Sequence, residues 1–258
     1  MTEENSSRLV QSTMTSLRIL EFVHEERGAR LTDVSEALDI GYSTAHNHLA
    51  TLHELEWLRR EDGVYEIPYR FLNYGRSARR GVPFFQTVRH HANELSKRTN
   101  TEVEFLVEEH GRIISVMDIT TNAPGYGEVG DNWAGVGVFY HMNNTASGKA
   151  MLAEMSEERI EAVLEKWGLP ARTPYSVTDR ETLYRQLETV RKKGYATAHQ
   201  EALEGFSNAS AAVTYPDGRV LGALSIGWPT YVYDDGADEE LTDELLAAIA
   251  AIEAELTE

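Results

Sequence analysis

The order of patterns in the first 67 residues constrains the fold more than any other feature of this sequence. Apolar residues at helical spacing from Leu17 to Val23 predict a first helix. A short second helix is predicted over 31–38, with Thr32 as its N-cap and Gly41 marking its end. A third helix is predicted over 42–55, only a short turn later. Two helices joined by so tight a turn are typical of a helix-turn-helix unit.

A hairpin signal follows the third helix directly. Asp62 and Gly63 form the dipeptide that favours a two-residue turn, and the residues on either side, 59–61 and 64–67, can pair as short strands. Three helices followed by a hairpin match the plan of a winged helix-turn-helix. The N-terminal part of the chain is therefore predicted to bind double-stranded DNA.

The rest of the chain predicts an α/β domain behind a linker helix. We expect an α+β protein with a winged helix-turn-helix over 6–69, a linker helix over 70–82 and an effector-binding and oligomerisation domain over 83–258. Within the last domain, helices are predicted over 83–100, 145–154, 157–167, 179–193 and 239–256, and strands over 102–108, 112–119, 136–140, 195–200, 208–215 and 220–227.

The start of the third helix carries the residues that we expect to contact DNA. Hydroxyl, imidazole and amide side chains there can donate to and accept from base edges, and Asn suits adenine. Arginines in the hairpin would contact phosphates. The alternative interpretation is an ordinary polar helix face. The predicted DNA-binding residues are Tyr42, Ser43, Thr44, His46, Asn47, Arg59 and Arg60.

Composition excludes several classes of site and indicates an environment. The chain has no cysteine, so disulfides, thiolate metal sites and cysteine nucleophiles are excluded. Its 258 residues carry a formal charge of −18, with only five lysines among 24 basic residues, and residues 1–80 hold just 10 basic and 13 acidic side chains of the total. Such an acidic, Lys-poor composition predicts a salt-adapted source. We expect a cytoplasmic protein, because no signal peptide or long apolar span is present.

Several motifs that resemble cofactor or metal sites do not fit their chemistry. The glycines of 125–130 match the dinucleotide pattern, but no helical pattern follows them. Gly148-Lys149-Ala150 resembles the end of a phosphate loop without its hydroxyl. The histidines lack metal-ligand spacing, and the acidic run 234–240 lacks that of a calcium loop. We therefore expect no metal and no cofactor.

Four segments in order resemble the isocitrate lyase regulator (IclR) family of transcription factors. They are STAHNHLATL over 43–52, HMNNTASGKAMLA over 141–153, KGYATAHQEALE over 193–204 and LGALSIG over 221–227. The resemblance implies a winged-helix domain, a linker helix and a GAF-like effector domain. It also implies a homodimer or a dimer of dimers on a palindromic operator. With the acidic composition, it predicts a halophilic archaeal source.

The resemblance also implies an effector site, at positions where this sequence partly departs from the family. The helix that begins near Thr145 follows a strand, and the free amides of a helix start favour an anion, although an ordinary capped helix is the simpler interpretation. The family's aspartate, cysteine and second serine correspond here to Ala198, Asn208 and Gly227, which favours a hydroxyl-rich ligand over a small keto acid. The implied effector-binding residues are Ala146, Ser147, Ala198, Asn208, Ser225 and Gly227.

The sequence thus predicts a DNA-binding regulator of catabolic genes that senses a small metabolite, such as a sugar or sugar acid, and crosses no membrane. Two alternatives remain open at this stage. One is a dimeric regulator without a small-molecule ligand. The other is an enzyme on the α/β domain, for which the sequence offers no evident nucleophile and base.

Overall fold

The computed structural model describes residues 9–119, 135–231 and 239–256. The chain divides into two compact units, Met1–Ala78 and Arg79–Glu258, which are considered separately. The sequence analysis placed domain limits at 69/70 and 82/83, on either side of the linker helix. These functional limits remain predictions. The glycine-rich run 125–130 lies outside the described residues, as does most of the acidic run 234–240.

The first unit is a winged helix-turn-helix. Its elements are α1 (Gln11–Glu25), β1 (Ala29–Arg30), α2 (Leu31–Ala37), α3 (Tyr42–Glu54), β2 (Arg59–Glu61) and β3 (Val64–Glu66). The strands pair antiparallel in the order β1-β3-β2. The helices and sheet enclose one apolar core, in which Ile19, Leu49 and Leu58 are fully buried. This core fixes the exposed face of α3.

Local backbone chemistry explains the ends of these elements and corrects two predictions. Thr32 is not the N-cap of α2, because the helix begins at Leu31 and its N-cap is Arg30. The Arg30 amide donates to Asp33 Oδ2 at 2.8 Å. Gly41 is the N-cap of α3 and not the end of α2, which stops at Ala37. The predicted hairpin turn is confirmed, because Asp62 and Gly63 both have positive φ, as a tight two-residue turn requires.

Helix α4 (Phe71–Arg80) begins on the first unit through aromatic contacts. The Trp57 ring lies 5.6 Å from that of Phe71 and 5.3 Å from that of Tyr74, while the Arg70 guanidinium lies 4.7 Å from the Trp57 ring. Arg70 also donates to the Leu55 carbonyl oxygen at 2.9 Å. The base of α4 is thereby attached to the winged helix.

The second unit is built on one six-stranded sheet. Its elements are α5 (Phe85–Thr99), β4 (Glu102–Glu109), β5 (Arg112–Ile119), β6 (Phe139–Tyr140), α6 (Ala146–Glu154), α7 (Glu157–Trp167), α8 (Arg180–Lys193), β7 (Ala196–His199), β8 (Phe206–Thr214), β9 (Val220–Pro229) and α9 (Glu239–Glu255). The strand order is β6-β5-β4-β9-β8-β7, with antiparallel neighbours. Strand β6 is shorter than the predicted 136–140. A 3-10 turn over Met142–Asn144, which the sequence did not predict, precedes α6.

Strand alternation divides the side chains of this sheet between two cores. Val103, Phe105 and Leu224 belong to the core that α5 and α9 cover. Leu106 and Ala223 belong to the core of α6, α7 and α8. Polar residues that alternate with the first set therefore point toward the start of α6, where the effector residues were expected.

Candidate nucleic-acid interface and effector site

Helix α3 exposes the residues that the sequence placed at base edges. Ala45, Leu49 and Leu52 are buried, and this stripe turns the remaining positions outward. His48 is held from behind, since its Nδ1 lies 2.8 Å from Ser16 Oγ on α1. The exposed residues of the first two turns are Tyr42, Ser43, Thr44, His46 and Asn47. The helix thus presents a continuous polar face of donors and acceptors.

Arg59 and Arg60, the two arginines of hairpin strand β2, differ in the ion pairs that would compete with a phosphate contact. Arg59 forms ion pairs with Glu66 at 2.7 Å and Glu61 at 3.4 Å, so a phosphate would compete with two carboxylates. Arg60 lies 5.2 Å from the Tyr65 ring and forms no ion pair with a described residue. Arg30, which the sequence analysis did not select, donates to the Asp62 carbonyl oxygen at 3.1 Å. It adds a positive charge beside the hairpin turn.

The six implied effector residues fall into three structural settings. Ser147 and Asn208 line a cavity under the start of α6. Ala146 and Ala198 are buried in the apolar core beside it and do not line it. Ser225 and Gly227 lie on β9, where Ser225 Oγ donates to the Ala209 carbonyl oxygen at 3.3 Å and Gly227 pairs with Asn208.

Side chains at the start of α6 form hydrogen bonds that cap the helix and attach it to the sheet. Thr145 is the N-cap and accepts the Gly148 amide at 3.0 Å. Ser147 Oγ donates to Ser210 Oγ at 3.1 Å, and Ser210 in turn donates to the Leu224 carbonyl oxygen at 2.8 Å. This chain of hydrogen bonds fixes the helix start against β8 and β9.

The cavity is small and acidic. Its volume of about 20 Å³ is close to that of one water molecule. The lining residues that the sequence analysis did not select are Glu102, Glu104, Leu106, Tyr140, Thr145, Ala202 and Phe206. Burial, reinforced by neighbouring carboxyls, raises the pKa of Glu102 to about 9 and that of Glu104 to about 7.

A buried ion pair stands beside the cavity. Lys149 on α6 is only 1% exposed, and its Nζ lies 2.5 Å from Glu201 Oε1. Burial lowers the pKa of Lys149 and raises that of Glu201, against the effect of each partner on the other. Lys149, which in sequence resembled the lysine of a phosphate loop, thus forms an ion pair with a carboxylate of the chain itself.

A wider groove of about 660 Å³ runs along α5 and ends near Val136. Its lining includes the basic residues Arg79, Arg89 and Lys97 and the acidic residues Glu94 and Asp118, and it contains none of the predicted site residues. Among the described residues, no cluster of three or more His, Asp or Glu side chains could hold a metal ion. Within the same ranges, no helix has the length and hydropathy needed to span a bilayer.

Two family descriptions match the chain, and both concern transcriptional regulators and not enzymes. "IclR helix-turn-helix domain" matches residues 14–62. "Bacterial transcriptional regulator IclR C-terminal" matches residues 79–254. Together they cover the winged helix and nearly all of the second unit.

Individual relatives agree with these matches. "Probable HTH-type transcriptional regulator ArcR" of Halobacterium salinarum is 26% identical over 234 residues, which is 86% of this chain and 84% of the relative. "HTH-type transcriptional regulator XynR" of Escherichia coli is 26% identical over 249 residues, covering 95% and 96%. A crystal structure of an IclR homolog complexed with 4-hydroxybenzoate, from Microbacterium hydrocarbonoxydans, has the same fold, with a TM-score of 0.75, 24% identity and coverage of 95% and 98%. With the polar face of α3 and the matches to both units, the chain belongs to the IclR family of DNA-binding transcriptional regulators.

Proposed function

We propose that this chain regulates catabolic genes by binding a palindromic operator as a homodimer or a dimer of dimers. Tyr42, Ser43, Thr44, His46 and Asn47 would read bases, and Arg59 and Arg60 would contact phosphates. The observation that supports this assignment is the continuous polar face of α3, which its buried stripe turns away from the core.

The second unit is proposed to sense a small metabolite at Ser147 and Asn208, where the cavity of about one water's volume would widen when the metabolite binds. Ala146 and Ala198 would shape the wall, and Ser225 and Gly227 the sheet floor. The Microbacterium homolog, whose structure is a complex with 4-hydroxybenzoate, supports small-molecule sensing by this chain. A sugar or sugar acid is the proposed ligand class, and Glu102 and Glu104 are compatible with a carboxylate, because burial raises their pKa values to about 9 and about 7 and so favours their uncharged forms.

The protein is proposed to act in the cytoplasm of a salt-adapted, archaeal cell. The formal charge of −18 and the scarcity of lysine support this setting. The Halobacterium relative supports it independently.

Replacement of Asn47 tests the proposed DNA contact. Fluorescence anisotropy on DNA from the chain's own promoter, and on variants of that site, should show that Asn47→Ala costs about 1–3 kcal/mol and relaxes preference at one base position. Asn73→Ala is the matched control, since Asn73 is an exposed asparagine on α4 that accepts a hydrogen bond from Arg76. Unchanged specificity in Asn47→Ala would contradict the assignment of α3.

A further inference from the structure

Arg30 connects the hairpin to the first helix of the helix-turn-helix. It is the last residue of β1 and the N-cap of α2. In the register of the small sheet it lies opposite Val64, the first residue of β3 after the hairpin turn. In a helix-turn-helix the first helix crosses the DNA backbone while the second lies in the major groove. Here those helices are α2 and α3, so Arg30 lies at the start of the helix that crosses the backbone.

The side chain of Arg30 is exposed, and its guanidinium is held at the hairpin turn. Its Nη1 donates to the Asp62 carbonyl oxygen at 3.1 Å. A Cβ on Gly63 would lie 3.0 Å from the same nitrogen, so the absence of a side chain there makes room for the guanidinium. A guanidinium carries five N–H donors in one plane, and one bond to a carbonyl uses only one of them. The bond to the turn therefore orients a group that can still contact a phosphate through two donors.

The hairpin by itself is poorly suited to attract a phosphate. Residues 59–66 contain two arginines and three carboxylates, and Arg59 forms ion pairs with two of those carboxylates. Arg60 pairs in register with Tyr65, whose ring is buried, so its side chain leaves the strand on the core face of the sheet. Arg30 brings a third positive charge to the turn itself, which balances the three carboxylates.

We infer that Arg30 contacts a phosphate of the operator, at the stretch of backbone that α2 crosses. The contact would be charge-assisted and would carry no information about base sequence. This inference rests on the proposed function, because it adds a residue to the proposed DNA interface. In the alternative role, Arg30 only ties β1 to the hairpin turn and does not contact DNA.

Salt dependence distinguishes a phosphate contact from a structural tie. Fluorescence anisotropy of the full-length protein on DNA from its own promoter gives the binding constant between about 0.2 M and about 1 M salt. Each neutralised phosphate contributes about −0.9 to the slope of the logarithm of the binding constant against the logarithm of salt concentration. Arg30→Gln keeps a donor for the Asp62 carbonyl oxygen but has no charge. It should make the slope shallower by about 0.9 and weaken binding about tenfold at the lowest salt.

Sequence independence and restoration of the charge give two further readouts. Arg30→Gln should weaken binding to an unrelated duplex of the same length by the same factor, since phosphates do not differ between sequences. Arg30→Lys should restore the slope, because lysine keeps the positive charge. Arg185→Gln is the matched control. Arg185 is exposed on α8 in the second unit, so this variant loses the same charge and should keep the parent affinity and slope.

A change at the turn tests the inference without altering Arg30. Asp62→Asn removes a carboxylate but keeps the carbonyl that accepts from Arg30, and asparagine before glycine suits the positive φ of this position. If a phosphate lies here, loss of the repelling charge should tighten binding to both duplexes about twofold at the lowest salt. Circular dichroism checks that each variant folds.

The outcomes separate this inference from the proposed function. An unchanged slope in Arg30→Gln, a loss confined to promoter DNA, or a slope that Arg30→Lys does not restore overturns the phosphate contact. If Arg30→Gln does not fold, an unchanged affinity in Asp62→Asn overturns it instead. Absence of promoter binding by the parent protein overturns the proposed function, whereas parent binding with the parent slope in Arg30→Gln overturns only the assignment of Arg30.

Discussion

Replacing Lys149 by Met should destabilise the second unit strongly. The lysine is 1% exposed, and among the described residues its Nζ bonds only to Glu201, whose side chain is 8% exposed. Removal of the ammonium leaves the carboxyl group of Glu201, a residue only 7% exposed, without its cation. Its second oxygen, Glu201 Oε2, is already buried without a hydrogen-bond partner in the described structure. The variant would therefore contain an uncompensated buried charge.

The expected loss follows from two opposing energies. At 2.5 Å the attraction is about 7 kcal/mol with an effective dielectric constant of about 20. Burial nevertheless raises the pKa of Glu201 and lowers that of Lys149, so desolvation outweighs the attraction for each group. The pair as a whole contributes little, while loss of one partner costs about 3–5 kcal/mol.

The loss should depend on pH in one direction. A carboxyl with a raised pKa in the folded state favours folding at low pH and loses that contribution as pH rises through the folded value. Without Lys149 the pKa of Glu201 rises further, because the lysine was lowering it. Glu201 then takes up a proton at moderately acid pH, and the deficit of Lys149→Met shrinks as pH falls.

Urea unfolding followed by circular dichroism at one fixed high salt concentration measures these differences. We expect Lys149→Met and Glu201→Gln each to lose about 3–5 kcal/mol, and Lys149→Met combined with Glu201→Leu to regain most of it. Lys192→Met, at an exposed position on α8, should stay within about 0.5 kcal/mol of the parent. Equal losses in the single and double variants would refute this account of the pair.

Two further predictions concern packing and salt. Gly148→Ala should destabilise the second unit by about 1–3 kcal/mol or more in the same assay, since the added Cβ would lie 2.4 Å from Met142 Cα. Gly75→Ala is the control. Its Cβ would meet no atom within 4 Å, so this substitution should be neutral or slightly stabilising. Operator binding should persist at molar salt, and the logarithm of the binding constant should fall with the logarithm of salt concentration less steeply than about −0.9 per phosphate contact, because the chain is strongly acidic. The fold of the second unit should become less stable as salt is removed, through repulsion between its acidic side chains. A steep loss of binding with rising salt, followed by anisotropy and with an unchanged dichroism spectrum, would contradict the salt prediction.

Where local chemistry decides an element, the sequence was sufficient. The hairpin turn was predicted from Asp62 and Gly63. Helix α7 has both of its predicted limits, because Ser156 caps its first turn and Gly168 follows its last residue. The error at Thr32 has a local cause too. Asp33, the third residue of the helix, accepts the backbone amide of the N-cap residue Arg30, as an acidic residue at that position does in a capping box, and the helix therefore begins before Thr32.

The site was only partly predictable, because its acidic floor depends on strand register. Glu102 and Glu104 alternate with apolar Val103 and Phe105, which is also the pattern of a strand with one face in water. Pairing with β9 on one side and β5 on the other buries them, and α6 then covers the face. Strand β5 follows β4 directly, but β9 and α6, which complete the burial, lie farther along the chain and are not specified by anything within β4.

Gly227 shows why the departures from the family pattern must be considered together with their neighbours. A Cβ at this position would lie 2.7 Å from Phe206 Cε1 and 3.5 Å from Glu102 Oε2. The absence of a side chain on β9 is therefore what gives Phe206 and Glu102 their places at the cavity. Any larger residue, including the serine that the family resemblance implies there, would displace the ring and crowd the carboxyl. The two carboxyls of this site thus come from β4, and Gly227 of β9 contributes the space that Glu102 and Phe206 occupy.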